Sequence, residues 1–274
     1  MRRLLFLLAL ASFAWVGCQN EVSVRPIEPA GPVEQPSAFD HADFTELLQE
    51  HVDEEGLVDY SAIAADPSDL DAYLGRLAST DPSGLPDDDR LAFYLNAYNA
   101  FAIRLIVDSY PIEDIRDVVD GPFIPSVNSP FSIPFAVVGG EDVSLDDIEH
   151  GTVREEFDEP RIHFALVCAA ISCPPLRQEA YTGDSLDAQL DDQAVTFLFN
   201  DEKNTVDAEA GTARLSKIFD WFKGDFGGSD DDTQRFIARY YDGETRAMLE
   251  EAALAVQYNA YDWSLNDQAR ASGG

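Results

Sequence analysis

Lysine is nearly missing from this chain of 274 residues: Lys203, Lys217 and Lys223 are the only three, and arginine supplies the other fifteen cations. Against these 18 basic residues stand 52 acidic ones, a formal net charge of −34. A field this negative repels phosphate backbones and anionic headgroups, so nucleic-acid binding is excluded as a function class. The bland explanation of the surplus is a halophilic surface, because salt at about 1 M screens self-repulsion beyond roughly 3 Å. Runs such as Asp87-Asp88-Asp89 and Asp230-Asp231-Asp232 read as solvated surface. No Asp-rich loop has the ligand spacing, glycine and closing glutamate of a calcium loop. Internal repeats are absent. With 45% hydrophobic and 11% aromatic residues, the chain has the composition of a folded globular protein rather than a disordered one.

Long apolar runs are also lacking. Leu4 to Val16 is too short to span a bilayer as a mature helix. It follows basic Arg2-Arg3 and ends at Gly17-Cys18, the layout of an export signal. With a cysteine at the cleavage point, it resembles a bacterial lipoprotein signal, which implies removal of residues 1–17, lipidation of Cys18 and anchoring to the cell envelope. A plain signal peptide with Cys18 incidental is the alternative. Gln19 carries no acidic retention signal of the enterobacterial kind, which points to the outer membrane. Residues 18–37 hold Pro26, Pro29, Pro32 and Pro36 without helical or strand period, the composition of an extended, flexible tether.

Residues 38–267 then form one globular domain, with 268–274 a disordered tail. The expected class is α+β, mainly helical, with a central buried helix and a small sheet. Helices are predicted over 40–52, 66–78, 87–109, 112–118, 144–151, 185–199, 216–222, 232–240 and 244–254. The one over 87–109 is apolar nearly all round from Leu91 to Val107 and is therefore the central one. Phe135 to Val143 reads as a hairpin about Gly139-Gly140. Arg161 to Cys168 reads as a buried strand, and short strands flank Gly211. The aromatic ending from Val256 to Leu265 is expected to pack back on the core.

Four groups of residues carry candidate chemistry. Asn96 and Asn99 lie three apart on the buried helix, so they share a face. Either they tie down loop backbone, or they bind substrate or an oxyanion. Glu149 and His150 sit together before Gly151; the pair suits either a helix terminus or acid–base work. His163 belongs to the strand that leads to Cys168, and strand parity puts it on the face opposite that cysteine. Cys173 lies on the loop beyond. A Cys168–Cys173 disulfide, a Cys173 thiolate with His163 or His150 as base, and inert thiols all remain open. A metal site is disfavoured, because the four-residue gap between the cysteines is not zinc-knuckle spacing. Asp262 and Trp263 belong to an aromatic segment that reads as core or as the wall of a ligand groove, with Asp262 able to orient a histidine.

The segments Asn96-Ala97-Tyr98-Asn99-Ala100, Ser144 to Gly151, Arg161 to Leu176, Ser216 to Trp221 and Tyr261 to Asn266 together resemble the family catalogued as domain of unknown function 547. The resemblance implies a domain over about residues 40–267 with no settled activity. It assigns no residue roles and no cofactor. Two functions follow from the residues. One is a binding module for a small molecule, peptide or protein, through a polar Cys/His/Asn cleft. The other is a thiol-dependent hydrolase or transferase with Cys173 as nucleophile, His163 or His150 as base, and Glu149 or Asp262 as orienter.

Overall fold

Three short helices, α1 (Ala42–His51), α2 (Tyr60–Ala65) and α3 (Ser68–Ala78), cover one long helix, α4 (Asp87–Ser109), in the computed structural model, which describes residues 24–119 and 129–271. The segment read as an export signal, Cys18 and the first residues of the expected tether lie outside the described residues. Pro86 precedes α4, and Asp87, Asp88 and Asp89 fill its first turn, where carboxylates meet the positive end of the helix dipole. Every residue from Leu95 to Val107 is buried, so α4 is the axis of the larger core, as its all-round apolarity predicts. Arg104 is the charged exception, beside the buried amides of Asn96 and Asn99. It is buried with Asp108 (2.6 Å) and also contacts Asp71.

Residues 24–37 are extended, as their prolines require, but they are docked rather than free. Arg25 binds Asp108 through its side chain (2.6 Å) and its amide (2.8 Å). Ala30 and Glu34 donate to the carbonyls of Gly75 and Ser79 on the α3 side, each at 2.9 Å. A Cβ at Gly75 would stand 2.6 Å from the Glu28 carbonyl oxygen, so the missing side chain is what lets the segment approach.

The hairpin forms where its Gly-Gly turn predicts. β1 (Ala136–Val138) pairs antiparallel with β2 (Glu141–Val143), with Gly139 and Gly140 at φ +59° and +81°. Then follow α5 (Leu145–Ile148), a π-helical turn over Glu149–Val153, and α6 (Arg154–Glu156). Ser144 and Asp147 cap α5 reciprocally.

The segment 161–168 departs from the strand reading. Ile162–Ala165 is a single helical turn, α7, and the chain extends only from Leu166 onward. Short apolar runs do not distinguish the two by period, and here only Ile162 and Val167 are β-branched. Arg161 anchors the turn through Glu159, Asp187 and Asp191.

The second, smaller core gathers Phe164, α8 (Leu186–Leu198), α9 (Ile218–Trp221), α10 (Asp230–Ile237) and α11 (Gly243–Glu250) around a three-stranded sheet. In it β3 (Thr205–Asp207) lies antiparallel to β4 (Thr212–Leu215), and β5 (Ala255–Tyr258) adds parallel to β4. The helical excursion α9–α11 makes that parallel return possible. The sequence reading had no strand at β5. Residues 262–267 pack back on the larger core: Ile171 donates to the Ser264 carbonyl (2.8 Å), Asn266 to Ala169 (3.1 Å), and Val58 to Asn266 (2.8 Å). Gln268–Ala271 form a last helical turn, α12, where a frayed tail was expected. No helix among the described residues is long and apolar enough to cross a membrane.

Candidate functional site

The π-helical turn widens the helix at Glu149 and lets consecutive residues, Glu149 and His150, both reach one cleft. The cleft has a volume of about 160 Å³. His163, Leu166, Cys168 and Cys173 form another part of its lining. Because 162–165 is helical, His163 and Leu166 fall on one side, and the extended step to Cys168 keeps that sulfur there too. Strand parity had separated His163 from Cys168; the helical turn unites them. Trp221 at the end of α9 joins Tyr261 and Trp263 of the C-terminal segment in an aromatic wall, with ring centroids 4.5–5.8 Å apart.

His163 is 3% exposed and stacks on Phe222, 4.0 Å between centroids. Its Nε2 lies 2.7 Å from the Asp225 carboxylate. Arg154 grips the same carboxylate through Nε (2.6 Å) and a terminal nitrogen (2.8 Å). Burial pulls the His163 pKa down to about 4, against the raising effect of Asp225, so the ring is neutral at pH 7. The carboxylate partner assigns its proton to Nε2 and leaves the Nδ1 lone pair facing Glu149, 4.0 Å away. Asp225, held by Arg154 first and His163 next, is lowered to about 2.

Glu149 is the unusual acid. Burial, reinforced by Asp146, pushes its pKa up to about 7, and hydrogen bonding to Tyr98 and the charge of Arg154 offset this only in part. Near neutrality this carboxyl is poised between a donor and an acceptor. His150 is half-exposed, 3.1 Å from Arg154, and burial lowers its pKa.

The two cysteines are joined: Cys168–Cys173 is a disulfide with Cα atoms 6.2 Å apart. In this form Cys173 holds no thiolate. The remaining sequence candidates lie elsewhere. Asn96 brackets the backbone of Tyr181, donating to its carbonyl (2.8 Å) and accepting from its amide (2.9 Å). Asn99 does the same across Ala165 and Val167, at 2.9 Å each. Neither amide lines the cleft, and both sit behind it; Asn99 fixes the chain that carries His163 and Cys168. Asp262 does not meet a histidine. Its carboxylate accepts from Ser264 (2.9 Å) and its amide donates to Ser172 (2.8 Å).

Asp225 and Arg154 were missed by sequence reasoning. Arg154 stands four residues after His150, a spacing that marks a shared helical face. Asp225 is one loop acid among 52 acidic residues and has no local signature. Among the described residues no group of three His, Cys, Asp or Glu side chains is arranged to hold a metal ion.

Residues 82–198 match the family described as "Protein of unknown function, DUF547". That stretch contains α4, the Glu149 turn, His163 and both cysteines. The aromatic wall and Asp225 lie beyond it. No curated protein and no solved structure matches the chain.

Proposed function

The chain belongs to the DUF547 family, and on that premise we propose that it is a lipid-anchored envelope protein whose cleft binds a small, largely apolar ligand. The observation that carries the binding reading is one wall of aromatic rings facing a buried carboxyl and a neutral imidazole across about 160 Å³. Such a lining suits a molecule with an apolar or aromatic body and one polar head. The body lies against Trp221, Tyr261 and Trp263; the head exchanges hydrogen bonds with Glu149 and the His163 Nδ1. The arrangement from Arg2 to Cys18 supports the anchor.

Trp221 and Trp263 both line the cleft, so tryptophan emission reports its occupancy. Titration with the apolar fluorophore N-phenyl-1-naphthylamine is expected to give saturable energy transfer. Trp221→Ala, at a position 46% exposed, should weaken it about tenfold without unfolding the chain. Transfer that never saturates, or is unchanged in that variant, overturns the reading. Palmitate labelling that survives Cys18→Ser overturns the anchor.

A second reading keeps Cys173 as the nucleophile of a hydrolase or transferase, with His163 or His150 as base. What favours it is that both histidines and both sulfurs line one cleft. It needs the bond to Cys168 opened first. Mass measurement after alkylation without reductant tests it: two added groups support free thiols, none leaves no nucleophile.

A further inference from the structure

The disulfide in the cleft is surrounded by polar groups, the Tyr261 hydroxyl among them, that the binding of an apolar body does not use. Its sulfurs are unequal: Cys173 is 1% exposed, whereas Cys168 is partly exposed. The Cys168 amide donates to the Cys173 sulfur at 3.1 Å. The Tyr261 hydroxyl stands 3.1 Å from each sulfur. Burial raises the Tyr261 pKa, so the hydroxyl keeps its proton to donate. Behind the loop, the Lys203 ammonium donates to the carbonyls of Ile171 (2.6 Å) and Cys173. This places a positive charge on the residue that bears the buried sulfur. Ala169, directly after Cys168, is held at φ +61°.

A bridge as a simple brace explains this poorly. It closes a short loop, which removes less chain entropy than a long one. The loop is already fastened by Asn266 to Ala169 and Ile171 to Ser264. A bonded sulfur is a weak acceptor, whereas two donors and a nearby ammonium suit a thiolate.

We propose that Cys168–Cys173 is a thiol–disulfide exchange centre for small dithiols whose apolar body enters the aromatic-walled cleft. The proposal rests on the cleft being the binding site. A substrate thiolate attacks the accessible Cys168 sulfur. A sulfur–sulfur bond forms there, the bond to Cys173 breaks, and its electron pair stays on the Cys173 sulfur. The Cys168 N–H and the Tyr261 O–H stabilise that anion. The second substrate thiolate then attacks the substrate's own sulfur in the mixed disulfide and expels Cys168. The dithiol loses two electrons and two protons and leaves as a disulfide; both protons end on the cysteines.

The test treats the native full chain with dithiothreitol and traps thiols with iodoacetamide. Both cysteines are expected to become alkylated at a rate that does not change with urea below the unfolding transition. Tyr261→Phe should slow this about tenfold to a hundredfold, the worth of a hydrogen bond to a charged group. Reduction that proceeds only at the rate of unfolding overturns the proposal, as does an unchanged rate in Tyr261→Phe. Naphthylamine titration reads the cleft separately. Saturable binding beside an inert disulfide sinks the exchange centre alone; rapid exchange without saturable binding sinks the ligand reading and the assigned substrate class together.

Discussion

Replacing Glu149 by Gln removes one ionisable group from the cleft while keeping its size and a group able to bond Tyr98. Burial and Asp146 raise the Glu149 pKa from 4.5 in the exposed state to about 7 in the folded protein. Between these values the folded chain holds a proton that the unfolded chain has released. Stability therefore falls as pH rises through that window and levels off above it. At about 1.4 kcal/mol per pH unit, the loss is about 3 kcal/mol. His163 acts in the opposite sense: with its pKa lowered from 6.5 to about 4, it adds stability as pH rises through nearly the same range. The parent curve is consequently flattened, and only the difference between variant and parent isolates Glu149. Urea unfolding of both proteins from about pH 4.5 to pH 8 should show Glu149→Gln gaining about 3 kcal/mol relative to the parent as pH rises. Two parallel curves would refute the assignment of a protonated, buried Glu149.

Other outcomes follow from the same contacts. Asn99→Ala orphans the buried Ala165 carbonyl and Val167 amide; chemical denaturation should register a loss of about 2–4 kcal/mol. Asp225→Asn leaves Arg154 without its carboxylate and should cost about 1–3 kcal/mol at neutral pH. Since the Asp225 pKa is lowered from 3.8 to about 2, that cost should fade as pH drops through this window, which acid unfolding curves would reveal. Gly56→Ala forces a side chain into φ +79° with its Cβ 2.6 Å from the Leu176 amide nitrogen; thermal melting should show a loss of at least about 1 kcal/mol. Raising potassium chloride from about 0.1 M to 1 M should raise the melting temperature, because shortening the screening length from about 10 Å to 3 Å relieves repulsion among the surface acids. An unchanged melting temperature would remove the halophilic reading.

The sequence by itself determined what depends on local chemistry. Apolarity on every side of residues 91–107 made α4 the buried axis, because no helix face there suits water. Gly139-Gly140 fixed the hairpin, because both positions need positive φ. The order of motifs pointed to the family whose model matches residues 82–198. Tertiary structure decided the site. Whether Arg161 to Cys168 would be strand or helix was not encoded in a short apolar run, and the answer moved His163 to the side of the sulfurs. Asn96 and Asn99 offered the same amides to a ligand or to a loop; the approach of Tyr181 and of the 165–167 backbone took them. Asp225 reaches His163 across 62 positions of chain, and Trp263 reaches Trp221 only because residues 262–267 pack back on the larger core. Such pairings arise from burial and long-range packing, which a local window cannot contain.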